Sequence, residues 1–351
     1  MLIEENQPLA RCTTFGVGGP ARWFVQAASE DEIAAAAAWA QERKVPLFVL
    51  GGGSNLLVSD AGFDGLVLRV GLRGAVRAED SDHPGQMIYR VAAGEDWDSF
   101  VERAVRDRCA GIECLAGIPG TVGGTPVQNV GAYGQEVAAV IERVRGFDVK
   151  EQAFEEFSAA ECGFAYRRSR FNSTDRRRFI VTRVDYRLAA GGAPTLRYAE
   201  LQRAIDTMQA GGAAPSLAEV AALVRRIRMS KGMLLVEGDP DCRSAGSFFK
   251  NPVVTEEEAW QIAGAAAKEP PRYPAEPGYV KLPAAWLIEQ AGFPKGFAMG
   301  AAGISSRHTL ALINRGGAKA IEILTLASEI RAAVEKLFGV SLEVEPVLVG
   351  F

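Results

Sequence analysis

The sequence predicts an α+β protein of two or three domains. Three observations lead there. A chain of 351 residues is longer than one hydrophobic core usually covers. Short strand-like runs alternate with amphipathic helical ones, and the glycine clusters fall at the ends of strands rather than inside helices.

In chain order, TTFGVGGPARWFVQA formally satisfies GxGxxA with Gly16, Gly18 and Ala21. A dinucleotide fingerprint needs a strand before it and a helix after it. Here Pro20 interrupts the motif and RWFVQA continues as a strand, so the match is a decoy. Ser29 and Glu32 form a capping box that opens the alanine-rich helix DEIAAAAAWAQERK, which feeds the short buried strand VPLFVL. This is a β-α-β opening, and its last strand ends in GGGSNLL.

GLVLRV and QMIYRVAAG read as the next strands. GEDWDSFVERAVRDRC reads as a helix with Trp97, Phe100, Val101, Ala104 and Val105 on its core face. After the stretch AGIPGTVGGTPVQNVGAYGQE comes the strand VRGFDV. Ser158 and Glu161 then cap a short turn of helix, and FIVTRVDYRL alternates Ile180, Val184, Tyr186 and Leu188 on one face as a half-buried strand. A helix LRYAELQRAIDTM sits between the connectors AAGGAP and AGGAAPS, with a domain boundary expected near 210–215. Capping boxes at Ser216/Glu219 and Thr255/Glu258 open two further helices. Pro283 and Gly292 bracket AAWLIEQA, Gly339 ends a long last helix, and VSLEVEPVLVGF reads as a terminal strand.

A net charge of −4 disfavours a nucleic-acid-binding surface. The basic run RRSR, with Arg176 to Arg178 nearby, reads as a solvated face. Five cysteines without a CxxC fit reduced thiols, and two histidines without HExxH leave no metal site. There is no signal-like N-terminus and no long uncharged apolar run. The reading is an unprocessed cytoplasmic protein and a monomer, with no nucleic-acid or membrane partner.

The chemistry concentrates where glycine does. Between Arg108 and Arg143 there is no Lys or Arg, yet six glycines lie from Gly117 to Gly134. Glycine lets a ligand approach consecutive peptide N–H groups, and such concave arrays hold phosphates. The GGGSNLL turn offers the same. Neither cluster carries the GKS or GKT of a phosphate-transferring loop, so a pyrophosphate held rather than cleaved fits better, as in a flavin or nicotinamide dinucleotide. A tight turn explains either cluster taken alone.

Six segments together carry a resemblance: TTFGVGGPA, GGGSNLL, AGIPGTVGGTPVQNVGAYG, FAYRRSRF, SAGSFFKNP and KLPAAWLIEQAG. In this order, over nearly the whole chain, they resemble the MurB family, the UDP-N-acetylenolpyruvoylglucosamine reductases of peptidoglycan precursor synthesis. The resemblance implies an FAD-binding domain of the vanillyl-alcohol-oxidase (PCMH) type in two subdomains, about 1–70 and 71–210. It also implies an α+β substrate domain over 211–339, with 340–351 returning to the first domain. It implies reduction of the enolpyruvyl group of UDP-N-acetylglucosamine-enolpyruvate by NADPH through FAD. The FAD is expected to be non-covalent, because neither loop holds His or Cys.

By motif matching, the FAD contacts fall on Gly51, Gly52, Gly53, Ser54, Asn55 and Leu56. In the second stretch they fall on Gly117, Ile118, Pro119, Gly120, Gly123, Gly124, Gln128, Asn129, Gly131, Ala132 and Tyr133. The resemblance makes Ser247 the donor of a proton to C2 after hydride reaches C3, with Arg167 and Glu345 stabilising the enol. Pro346 and Val347 follow Glu345 where the family commonly has Val-Arg, so Glu345 against Glu343 rests on register. Substrate contacts fall on Tyr166, Tyr198, Arg228, Lys231, Asn251, Lys281 and Gln290. Tyr198 would mark the form of the enzyme with a tyrosine loop; the segment around Lys231 departs from the family pattern, and His308 reads as structural. Two other readings compete: an FAD-dependent sugar or alcohol oxidase of the same wider fold, and a nucleotide-sugar-binding module that has lost its flavin.

Overall fold

The computed structural model describes residues 1–208, 214–266 and 268–351. They form two compact units. The first contains Met1–Gln7, Ala21–Gly52 and Asp64–Met229; the second contains Pro8–Pro20, Gly53–Phe63 and Ser230–Phe351.

The first unit holds two sheets. One orders its strands Glu4–Pro8, Pro20–Ala27, Phe63–Val70 and Leu47–Leu50. Helix α1 (Glu30–Glu42) buries Ile33, Ala36, Ala37 and Ala40 in the same core as Val25, Leu66 and Leu68. The Ser29 hydroxyl caps it by accepting from the Glu32 amide, but the expected box does not close, because the Glu32 carboxylate accepts from the Ala28 amide and not from that of Ser29. The β-α-β opening is present, but its two strands are not neighbours. Phe63–Val70 lies between them, parallel to Leu47–Leu50 with Leu47 opposite Leu66. A later strand can take that place because nothing in the two flanking runs encodes which edge each one offers.

The second sheet is antiparallel. It orders Ala153–Ser158, Ile141–Asp148, Phe179–Ala190, Gln86–Ala92 and Ala75–Glu79, and Cys109–Ala110 pairs with the end of the long strand. Helix α2 (Trp97–Arg106) buries Trp97, Phe100, Val101 and Ala104, and the Phe100 ring lies 5.1 Å from Tyr186 and 5.6 Å from Tyr89. The long strand departs from expectation. Ile180, Val184, Tyr186 and Leu188 are buried, but a bulge between Val181 and Arg183 breaks the alternation: Phe179 and Val181 fall on the face of Val184 and Tyr186, and Ile180 turns to the other face, where Asp185 is buried as well. That face is covered too: the Thr182 hydroxyl and Arg145 both donate to Glu30 of α1. The expected turn of helix after Ser158 is also absent. Ser158 and Glu161 do bond reciprocally, but the chain there makes turns only.

Helices α3 (Ala199–Met208) and α4 (Leu217–Ser230) complete this unit. The boundary expected near 210–215 falls partly on residues 209–213, outside the described residues. The first unit continues past it to Met229, because Val220, Leu223, Val224 and Ile227 of α4 join the first core. Arg225 of α4 also binds Asp98 and Glu102 of α2.

The second unit packs α5 (Glu256–Ala266), α6 (Ala284–Gln290) and α7 (Ala320–Phe338) with short sheets. Its core joins Phe15, Leu57, Phe248 and Phe249 to Ile323, Leu326, Ile330 and Val334 of α7. Asp60 caps α7, accepting from the Ala320 and Ile321 amides at 2.8 and 3.0 Å, and Gly339 ends it at φ +68°. The terminal strand is confined to Val347–Val349. It pairs in parallel with Leu56–Val58, a segment that clusters with this second unit.

Candidate active site

In the first unit the two glycine clusters meet. A Cβ on Gly52 would lie 2.5 Å from the Gly120 Cα, and one on Gly51 would lie 2.9 Å from the Thr121 hydroxyl. Gly120 adopts φ +135°, which side-chain-bearing residues avoid. The turn is braced from behind by the Gly123 amide on the Ala93 carbonyl (2.8 Å), Val122 on Glu95 (2.9 Å) and Gly117 on the Asp98 carboxylate (2.6 Å). Among the described residues, the amides of Gly51, Gly52, Ile118, Gly120 and Thr121 donate to no other group of the protein. Buried or half-buried N–H groups are normally paired. Four half-buried residues and the exposed Gly52 supply these amides around two apposed turns, with no cationic side chain from either loop, and the array fits the pyrophosphate of a dinucleotide. A Cβ on Gly124 would meet nothing within 4 Å, so open space begins there.

Other expected contact residues of this stretch serve the protein itself. Asn129 is buried at φ +44°; its amide donates to Glu136 (2.9 Å) and to the Ala165 carbonyl (3.0 Å), and its oxygen accepts from Ala138. Arg167 donates to the Gly131 carbonyl at 2.9 Å and lies over the Tyr166 ring. Its backbone is left-handed at φ +54°, a conformation disfavoured by about 1 kcal/mol or more; the Asn172 amide holds it by donating to the Arg167 carbonyl. The basic run is thus not one solvated face. Arg170 pairs with Asp175 over the Phe157 ring and Arg178 with Asp148, while Arg168, Arg176 and Arg177 remain exposed.

Four expected residues converge around the hairpin Gly131–Glu136. The Tyr133 and Tyr198 rings meet edge to face at 5.4 Å, and Arg228 donates to the Gly117 carbonyl at 3.0 Å and lies beside the Tyr133 hydroxyl. Burial pushes the Tyr133 phenol up to about 12, against the pull of Arg228. Burial also lowers Arg228, while Tyr133 and Asp98 act in the opposite sense.

In the second unit, SAGSFFKNP runs between two backbone partners. The Phe248 amide donates to the Leu310 carbonyl, the Glu345 amide to the Phe248 carbonyl and the Lys250 amide to the Glu343 carbonyl. Phe249 and Val344 form a bridge. Ser247 and Glu345 are therefore brought into adjacent segments. Among the described residues, the half-buried Ser247 hydroxyl makes no hydrogen bond to the protein. Lys250 binds the exposed Glu343, and Glu345 is half-buried. Asn251 accepts from the Ala284 amide and so caps α6, which ends at Gln290; Lys281 lies in the strand paired with Val253. Gly53 to Leu56 belong to this unit, where a Cβ on Gly53 would collide with the Cys12 carbonyl at 1.8 Å. Lys231 opens the unit just past α4, and the His308 ring accepts from the Leu310 amide.

Two braces escape a reading of the sequence. Asp241 accepts from Ser306 and Arg307 and steadies the approach to SAGSFFKNP. Glu113, fully buried, is bonded to Gln135 and Thr195. Only burial reveals either one, although Glu113 in an otherwise apolar stretch is the kind of residue that must find donors.

Comparison with known proteins agrees with this geometry. Residues 21–151 match the model of the FAD binding domain family, and residues 239–349 match that of the UDP-N-acetylenolpyruvoylglucosamine reductase C-terminal domain. UDP-N-acetylenolpyruvoylglucosamine reductases of Thermobifida fusca and Streptomyces coelicolor are each 47% identical to the chain over 99% of it, covering 98% and 90% of those proteins. The crystal structure of the Thermus caldophilus reductase superposes with a TM-score of 0.67 at 28% identity, covering 99% of both chains.

Proposed function

Because the chain belongs to the UDP-N-acetylenolpyruvoylglucosamine reductase family, we propose that it reduces the enolpyruvyl ether of UDP-N-acetylglucosamine-enolpyruvate. The product is the lactyl ether of UDP-N-acetylmuramate. FAD is the resident cofactor and NADPH the reductant. The observation that carries this reading is the cation-free cradle of unpaired amides at Gly51, Gly52, Ile118, Gly120 and Thr121, inside the region that matches the FAD binding domain. The oxidase reading is not favoured, since the relatives that span the whole chain are reductases.

FAD, when bound, supplies the hydride and is recharged by NADPH. The chain's own residues do the rest. The amides of the cradle hold the pyrophosphate, and the absence of His and Cys from both loops keeps the attachment non-covalent. Arg167 binds the enolpyruvyl carboxylate, where negative charge grows as C3 becomes saturated, and a planar guanidinium suits that anion. Glu345 helps hold the enol. The Ser247 hydroxyl, uncommitted within the protein, gives its proton to C2 and regains one from water. Tyr166, Tyr198, Arg228, Lys231, Asn251, Lys281 and Gln290 bind the sugar nucleotide, in the tyrosine-loop form of the enzyme. We place the protein in the cytoplasm as a monomer; no helix among the described residues is long and apolar enough to cross a membrane.

The test is an anaerobic absorbance titration of the purified holoenzyme. NADPH bleaches the yellow band, and UDP-N-acetylglucosamine-enolpyruvate restores it. A colourless protein that takes up no FAD, or a band restored by oxygen but not by the enolpyruvyl substrate, contradicts the proposal.

A further inference from the structure

Among the described residues, Glu113 has no cation among its hydrogen-bond partners. Its carboxylate is fully buried and accepts from the Gly111 amide at 2.8 Å, the Gln135 side chain at 2.7 Å and the Thr195 amide at 2.8 Å. Gln135 is itself buried, and its oxygen accepts from the Cys114 amide at 2.7 Å. The Cys114 thiol donates to the Thr195 carbonyl at 3.2 Å. Burial, reinforced by the charge of Glu113, pushes that thiol up to about 12, so it stays a donor at neutral pH. Thr195 is thus gripped at both its N–H and its C=O. Burying a charge this thoroughly is costly unless every lone pair finds a donor. Such an arrangement fixes one geometry for the segments that supply the donors.

Those segments matter. Thr195 is three residues before Tyr198, whose ring meets Tyr133, and Gln135 lies two residues after Tyr133. Gly134, at φ +84°, lets the Arg197 backbone close in; a Cβ there would lie 3.0 Å from the Arg197 Cβ.

We infer that Glu113 is a positioning residue: through Thr195 it seats the 195–198 segment on the hairpin 131–136 and so sets Tyr198 for the sugar nucleotide. This rests on the substrate role proposed for Tyr198.

The experiment compares Glu113→Gln, Tyr198→Ala and the double variant as holoenzymes. Glu113→Gln keeps the shape but turns an amide N–H toward a donor. Deuterium uptake across 191–198 rises at least tenfold, while uptake across 179–188 is unchanged. KM for UDP-N-acetylglucosamine-enolpyruvate rises about tenfold, with the rate of flavin reduction by NADPH unaltered. In the Tyr198→Ala background, Glu113→Gln adds no further rise in KM, as expected of residues acting as one unit. Three results overturn the inference: uptake across 191–198 equal to wild type, uptake rising throughout the first unit, or a KM effect undiminished by Tyr198→Ala. If Glu113→Gln does not fold, Cys114→Ala removes only the thiol donor. It then shows the same local rise in uptake in smaller measure, and no rise overturns the inference. A wild-type protein that never turns over this substrate defeats the proposed function instead, and the uptake data still decide whether Glu113 holds the segment.

Discussion

The glycine-rich stretch of the first unit and the SAGSFFKNP segment of the second solve opposite problems. Around Gly120 the side chains are absent or already engaged: Asn129 ties down its own loop and Gln135 binds Glu113. What remains available is main chain. Around Ser247 the main chain is engaged on both sides, with Leu310 and with Glu343 to Glu345, and what remains available is a hydroxyl. In the proposed reaction the cofactor to be held is met by backbone, and the proton to be delivered is met by a side chain. The difference means that substitutions in the two regions should fail in different ways.

The largest effect belongs to the second region. Ser247→Ala lowers kcat for enolpyruvyl reduction by about 10²–10⁴-fold, the usual contribution of a positioned acid, while FAD content and the visible spectrum stay those of the wild type. In the first region, Gly52→Ala forces a methyl group against Gly120. It weakens FAD tenfold or more in an apoprotein titration and lowers stability by about 1–3 kcal/mol. Gly124→Ala sharpens the contrast, because the protein leaves space there. The unfolding midpoint of the FAD-free protein stays within about 0.5 kcal/mol of wild type, and FAD binding alone suffers. Equal losses of stability for the two glycine variants would mean that the cradle is only a packed turn.

A pH effect distinguishes scaffold from site. Burial works to raise the Asp148 carboxyl, but Arg178 and the Lys150 and Glu151 amides outweigh it and hold it below its ordinary value. A carboxylate depressed on folding contributes stability above its unfolded value near 3.8, and that contribution is lost as pH falls through the lower folded value. Asp148→Asn therefore flattens the acid limb of stability below about pH 4 and leaves the pH dependence of turnover near neutrality unchanged. The smallest effect is that of Lys250→Met. Its partner Glu343 is 71% exposed, so stability changes by less than about 1 kcal/mol in thermal unfolding. Because Lys250 is directed to Glu343, the rate of proton delivery changes little.

Much of this was legible in the sequence. The capping boxes at Ser216 and Thr255 are made as expected, Ser29 caps its helix although Glu32 reaches the Ala28 amide instead of closing the box, Gly339 ends its helix, and the two glycine clusters do converge. These features rest on local chemistry, which short windows of sequence contain. What was hidden is non-local. The insertion of Phe63–Val70 between the strands of the opening unit, and the retention of α4 by the first core, depend on which faces find partners. The second covered face of Phe179–Ala190 depends on Glu30, more than a hundred residues earlier. Glu113 was passed over for the same reason, since a lone glutamate ordinarily faces water and only its burial shows otherwise.

The division between a main-chain cradle and a side-chain acid is tested most directly by rapid mixing of the Ser247→Ala holoenzyme in its two half-reactions. The account predicts bleaching by NADPH at the wild-type rate, and reoxidation by UDP-N-acetylglucosamine-enolpyruvate slowed by at least about a hundredfold. Reoxidation at the wild-type rate would contradict it.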